Sequence, residues 1–147
     1  MTGTARITLD TAAAILAAQP FNDLVGARIT RFGEGEAELV LDIEDRHRQQ
    51  FGVAHGGVLA YLADNVLTFA AGSVLGADVL TGGMDVSYLR AARSGRLRAR
   101  ASVVHRARSH AVVTVEIRNE NGGSGAAALC AIARGTVFAT SPRGAAA

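Results

Sequence analysis

One carboxylate stands alone in the middle of the chain. Between Gln49 and Ala77 the only formal charge at neutral pH is Asp64, set among Leu62, Ala63, Val66, Leu67 and Phe69. An ionised carboxylate in such company is costly unless it is hydrogen-bonded or solvated, and a helix serving only as core would carry Ala or Leu there. An acid kept in this place can act as a general base on water or as a nucleophile. The other reading is a structural aspartate, paired with N–H groups or with a second subunit. Upstream, His55-Gly56-Gly57 opens the same apolar segment. The first N–H groups of a helix lack partners within it and lie at the positive end of its dipole. Gly56 therefore offers a donor to an oxygen gaining negative charge, with no side chain to block approach; a mere tight turn is the alternative. Thr68 sits one helical turn after Asp64, on the same face. It either orients a water or the carboxylate, or bonds back to the Asp64 carbonyl.

Composition narrows the chemistry. The single cysteine, Cys130, rules out an internal disulfide framework or a multi-cysteine zinc site, and its apolar surroundings mark it as buried filler. His47, His55, His105 and His110 show no metal-ligand spacing, so no metal is expected. All the basic residues are arginines, which removes Schiff-base and P-loop chemistry. Seven of them (Arg90, Arg93, Arg96, Arg98, Arg100, Arg106 and Arg108) crowd one stretch that holds no tryptophan or phenylalanine, whereas single-strand nucleic-acid binding calls for stacking aromatics among the cations. No nucleic acid is expected. No apolar run reaches the roughly 18 residues of a membrane span, and the N-terminus lacks the pattern of a secretory signal. A cytoplasmic protein without membrane contact is the expectation.

The elements that must position these residues follow from periodicity. Residues 9–19 are alanine-rich and suit a short helix, with Asp10 or Thr11 as N-cap and Pro20 as its stop. Residues 25–32 suit a strand, and Gly33-Glu34-Gly35 a turn. Residues 36–44 alternate, with Ala37, Leu39, Leu41 and Ile43 inward and Glu36, Glu38, Asp42 and Glu44 outward. Residues 45–52 read as loop. Alternation then stops: 57–72 is apolar nearly all round and runs about four turns, as a largely buried helix does. Gly82-Gly83 marks a break, after which 84–90, 97–104 and 111–118 read as strands. A polar hairpin turn is expected over 119–125. Residues 126–138, apolar on both faces, suit a central strand. An α+β fold follows, with an antiparallel sheet of about six strands curled around one long helix. Residues 1–19 form an extension, 20–139 the single domain, and 140–147 a tail without structure.

Gln49, Gly52, His55-Gly56-Gly57 and Leu62-Ala63-Asp64-Asn65, followed by Asp85-Val86-Ser87-Tyr88-Leu89-Arg90, resemble the hotdog-fold acyl-CoA thioesterases. The nearest branches are those of phenylacetic acid degradation and 4-hydroxybenzoyl-CoA hydrolysis, and the likeness spans roughly residues 20–138. It implies hydrolysis of an acyl- or aryl-CoA without any cofactor beyond the substrate's own coenzyme A. It also implies a homodimer with active sites at the subunit interface, often paired again into a tetramer. The Gly56 N–H would polarise the thioester carbonyl, Asp64 would be the catalytic carboxylate, and Gln49 would help hold thioester or water. His55 would shape the loop and contact substrate. Gly57, Asn65 and Thr81 would lie at the substrate, Thr81 near a position that carries a water-orienting hydroxyl. Arg90, Arg93, Arg108 and Ser109 would grip the phosphates of coenzyme A, a task suited to guanidinium groups. Two departures touch those contacts: Ala107 stands where relatives often have Gly, and Ala91-Ala92 where a proline is usual. A non-catalytic acyl-CoA-binding protein of the same fold is the alternative. Gly56 and Asp64 lie about 12 Å apart along one helix, at 1.5 Å per residue. That is too far to serve one carbonyl, so if both act they come from different subunits.

Overall fold

The computed structural model describes residues 6–121 and 127–140. Two short helices lead in. Helix α1 (Leu9–Ala17) is capped not by Asp10 or Thr11 but by Thr8, whose hydroxyl accepts from the Thr11 N–H at 3.2 Å. Pro20 starts a second helix, α2 (Pro20–Val25), where its missing N–H costs nothing at the first position. Gly26, in the left-handed conformation at φ 83°, ends it, so the first strand begins later than the sequence suggested.

Strands β1 (Arg28–Gly33) and β2 (Glu36–Asp42) form a hairpin, and a single-turn 3-10 helix (Asp45–His47) precedes helix α3 (Gly56–Leu75). Strands β3 (Val79–Tyr88), β4 (Arg96–Arg106), β5 (His110–Glu120) and β6 (Ala128–Ala139) complete the chain. All pairings are antiparallel, in the order β1-β2-β4-β5-β6-β3. This is the expected fold: six strands around one long helix. Strand β6 is interior but not buried on both faces, since Ile132 and Phe138 are exposed on the side away from α3. The expected hairpin turn at 119–125 begins with two residues of β5 and otherwise falls mostly outside the described residues, as does the tail beyond 140.

The alternating apolar residues of the sheet meet α3. Leu39 and Leu41 of β2, Leu97 and Ala99 of β4, and Val113, Val115 and Ile117 of β5 are buried with Leu62, Ala63, Val66, Leu67 and Ala70 of the helix. The fit leaves no slack at Gly135 of β6, where a Cβ would come within 2.9 Å of both Leu67 and the Gly83 carbonyl. Helix α3 runs 20 residues with a mean hydropathy of 1.5, so by length and composition it could cross a bilayer. A core helix meets the same criterion, and here the sheet covers one apolar face of α3.

Charge is organised on the far face of the sheet. Glu38, expected to face solvent, is buried between Arg98 and Arg100 of β4 and also accepts from the Thr30 hydroxyl at 2.8 Å. Arg98 reaches on to Glu120, and Arg96 pairs with Asp42. Three of the seven clustered arginines are thus paired with acids of β2 and β5. Burial alone would raise the Glu38 carboxyl, but hydrogen bonds from Thr30, Arg100 and Arg98 outweigh it and hold the group below its ordinary value of 4.5. A lowered acid stabilises the fold above its unfolded pKa and loses that contribution as pH falls through its folded pKa. Glu38→Gln should therefore cost about 2 kcal/mol at pH 7, between the ranges for exposed and buried ion pairs. The gap from wild type, followed by urea melts, should shrink as pH drops below 4.5.

Candidate active site

Helix α3 is not greasy all round. Gly57, Ala60, Tyr61, Asp64, Asn65, Thr68, Phe69 and Gly72 recur at helical spacing and line a cleft of about 780 Å³. The opposite stripe (Leu59, Leu62, Ala63, Val66, Leu67, Ala70) packs into the core. Asp64 sits midway along the open stripe and is exposed in the single chain. The desolvation cost expected from its sequence neighbours is thus largely avoided, because Leu62, Ala63, Val66 and Leu67 point the other way and only Phe69 shares its stripe. Apolar walls come from Ile15, Phe21, Phe32, Val79 and Met84.

Strand β3 supplies Asp64 with a partner. The Thr81 hydroxyl donates to Asp64 Oδ1 at 2.6 Å, and Oδ2 accepts from no other group among the described residues. Gly82-Gly83 is a bulge within β3 rather than a break before it, with the register against β6 shifting between Thr81 and Gly83. At Gly82 a side chain would collide with the Phe138 ring. The bulge keeps Thr81 on a paired strand, aimed at the helix.

The other end of β3 meets the start of α3. Tyr88 donates its hydroxyl to the Gly56 carbonyl at 3.2 Å. His55 caps the helix, its Nδ1 accepting from the Gly57 N–H at 2.8 Å. That leaves the Gly56 N–H without a partner among the described residues. The preceding loop is fixed by buried His47, whose Nδ1 accepts from the Glu44 N–H and whose Nε2 donates to the Val25 carbonyl. The His55 N–H in turn reaches the His47 carbonyl at 2.7 Å. Gln49 folds back on its own loop, its side-chain oxygen accepting from the Phe51 N–H. Gly56, His55 and Gln49 do not line the cleft that holds Asp64.

A family model described as the thioesterase superfamily matches residues 51–126, just over half of the chain. The chain belongs to this family. A Haemophilus influenzae protein named as an esterase is 33% identical over 115 residues, spanning 77% of this chain and 80% of that one. The 1,4-dihydroxy-2-naphthoyl-CoA hydrolase of Escherichia coli is 29% identical over 97 residues, 65% of this chain and 71% of the other. Among solved structures, a Haemophilus influenzae thioesterase superposes with a TM-score of 0.78 at 28% identity, covering 94% of each chain. The chain is thus a thioester hydrolase by family, and the antiparallel sheet around α3 is the hotdog fold.

Against the expectations for a thioesterase site, the structure brings together Asp64, Thr81, Thr68, Asn65 and Gly57. Thr68 spends its proton on the Asn65 carbonyl at 2.8 Å, one residue on from the carbonyl expected. Asn65 is buried rather than offered to a ligand: its Nδ2 donates to Gln19 Oε1 and to the Tyr61 hydroxyl, both at 3.0 Å. The four arginine-turn residues are not gathered in one chain. Arg90 and Arg93 follow the Tyr88 end of β3, while Arg108 and Ser109 form the β4–β5 turn beside the Leu80 end, since Leu80 pairs with Phe138 and Phe138 with His110. The eight steps from Leu80 to Tyr88 correspond to about 25 Å of strand.

Gln19, Asn22, Tyr61 and Tyr88 were not singled out from the sequence as site residues. Tyr61 carried a legible signal, because Tyr61, Asp64, Asn65 and Thr68 fall on one stripe at spacings of three and four. Burial pushes the Tyr61 phenol up; the Asn65 hydrogen bond opposes this and the Asp64 charge reinforces it, so the hydroxyl stays neutral. Thr81→Val keeps shape and removes the hydroxyl from Asp64. Thioester hydrolysis should fall about tenfold or more, mostly in kcat, as expected for loss of a hydrogen bond to a charged group. Steady-state kinetics on any accepted thioester reads it.

Proposed function

We propose that this thioester hydrolase acts in the cytoplasm on an acyl- or aryl-CoA, releasing the free acid and coenzyme A, with no metal or redox cofactor. The observation that carries the reading is Asp64: a carboxylate in the middle of an apolar cleft, held at one oxygen by Thr81 and open at the other. The coenzyme A thioester named for the Escherichia coli relative supports the substrate class.

Asp64 takes a proton from a water as that water attacks the thioester carbonyl carbon. The carbonyl oxygen becomes an oxyanion held by the Gly56 N–H at a helix N-terminus. The carbon–sulfur bond then breaks, and the proton on Asp64 passes to the departing thiolate. In the nucleophilic variant Asp64 attacks the carbon itself and water cleaves the resulting anhydride. Either route needs a Gly56 N–H beside the carbonyl. The two ends of β3 hold Thr81 with Asp64 and Tyr88 with Gly56 seven residues apart, which supports a homodimer in which one subunit gives Gly56 and the other Asp64. Pairing across the same interface would bring Arg90 and Arg93 of one subunit toward Arg108 and Ser109 of the other, with Gln49 and His55 beside the thioester. Two such dimers would form a tetramer.

A thiol-release assay over a panel of coenzyme A thioesters tests the chemistry: Asp64→Ala should lose at least about 100-fold in kcat. Unchanged hydrolysis by that variant would sink the assignment. Gly56→Pro tests the rest, because proline at a first helical position removes only an N–H that the helix does not use. The preceding residue, His55, already has the extended ψ of 138° that proline requires. Each variant alone should be nearly inactive. Co-refolded in equal amounts they should recover about a quarter of wild-type activity, from statistical pairing in a two-fold dimer. No recovery from folded, mixed dimers would place both groups within one subunit.

A further inference from the structure

We propose that Gln19 is a specificity-determining residue, presenting a hydrogen-bonding amide to an uncharged polar substituent on the acyl part of the thioester. The inference rests on reading the cleft as the acyl site. Gln19 lies at the junction of α1 and α2, before the span matched by the family model, yet it lines the same cleft as Asp64.

The argument is one of hydrogen-bonding capacity. In the cluster behind the cleft wall, Tyr61 donates to Asn22 Oδ1 at 2.7 Å and accepts from Asn65. Asn22 is completed by the backbone of Ala27, through both its amide oxygen and its NH₂. Asn65 spends both N–H bonds, on Gln19 and Tyr61. Gln19 returns one N–H to Asn65 Oδ1 at 3.2 Å, closing a reciprocal amide pair. A side-chain amide has two N–H bonds and two lone pairs. Gln19 therefore keeps one N–H and one lone pair uncommitted among the described residues.

The pair also holds that amide still. Its backbone is fixed as well: the Gln19 N–H reaches the Leu16 carbonyl at 3.1 Å, and its carbonyl accepts from the Asn22 N–H at 3.0 Å. A pre-set donor beside the apolar side chains of Ile15 and Phe21 favours a ligand that satisfies it and penalises one that leaves it dry. Charge selects further. Among the described residues of one chain, Asp64 is the one charged side chain lining the cleft, so an anionic acyl group meets repulsion there and a cationic one is drawn to Asp64 rather than to Gln19.

The test uses pairs of coenzyme A thioesters that differ by one substituent remote from the carbonyl: hydroxyaryl against aryl, and hydroxyacyl and ketoacyl against plain acyl. Wild type should favour the substituted member of at least one pair by about tenfold in kcat/KM. Gln19→Met should bring that ratio close to one, while Thr81→Val should slow both members alike. Because Gln19→Met also unties Asn65, Gln19→Glu provides a second variant, retaining the oxygen that accepts from Asn65 but no amide N–H. It should lose the preference for a keto group, which only accepts. Wild-type ratios within about threefold of one in every pair, or a preference that survives both substitutions, would overturn the role of Gln19. Hydrolysis of either member still upholds the thioesterase site, so the two readings fail separately.

Discussion

The structure depends on one packing constraint: a single antiparallel sheet covers part of the circumference of α3 and leaves a stripe open. A helix this apolar must bury most of its surface, and the strands supply Leu39, Leu97, Val115 and Ile117 to do so. The open stripe then collects the polar side chains that the core rejects. Asp64 can be charged because it projects there, beside Thr81, and not into the layer that begins one residue earlier at Ala63. Site and core are thus two faces of the same 20 residues.

The same constraint sets the division of labour along β3. Its edge position lets one strand touch both functional regions of the helix, through Thr81 near the middle and Tyr88 at the start. The bulge at Gly82-Gly83 lies between the two contacts and shifts the register of β3 against β6. On the outer face, by contrast, arginines meet acids in cross-strand register, Arg100 opposite Glu38 and Arg96 opposite Asp42. Those arginines hold the sheet.

Much of this was legible in the chain. Period two over 36–44 and its loss after Gly57 gave the strand and the buried helix, and His55-Gly56-Gly57 with Asp64 gave the family. What escaped was decided by tertiary partners. Gly82-Gly83 looks like a terminator locally, but becomes a bulge because β6 pairs on both sides of it. Pro20 looks like a stop and is also a start, because an N1 proline serves the helix that follows. Glu38 looks solvent-facing by alternation, yet Arg98 and Arg100 close over it from a strand some sixty residues away. Asn65 looked like a ligand contact, and its amide is shared between Tyr61 and Gln19, the latter from the α1–α2 junction outside the recognisable motif.

The strand order carries a consequence for synthesis. Helix α3 and β3 are adjacent in the chain, but among the described residues β3 pairs only with β6, the farthest strand along it. At translation rates of about 5–20 residues per second, the most lipid-like segment of the protein waits several seconds for strands β4 to β6 to enclose it. During that interval the nascent chain presents a bilayer-length apolar helix beside an unpaired edge. Burial of α3 and pairing of β3 thus both wait on β6, the described strand farthest along the chain.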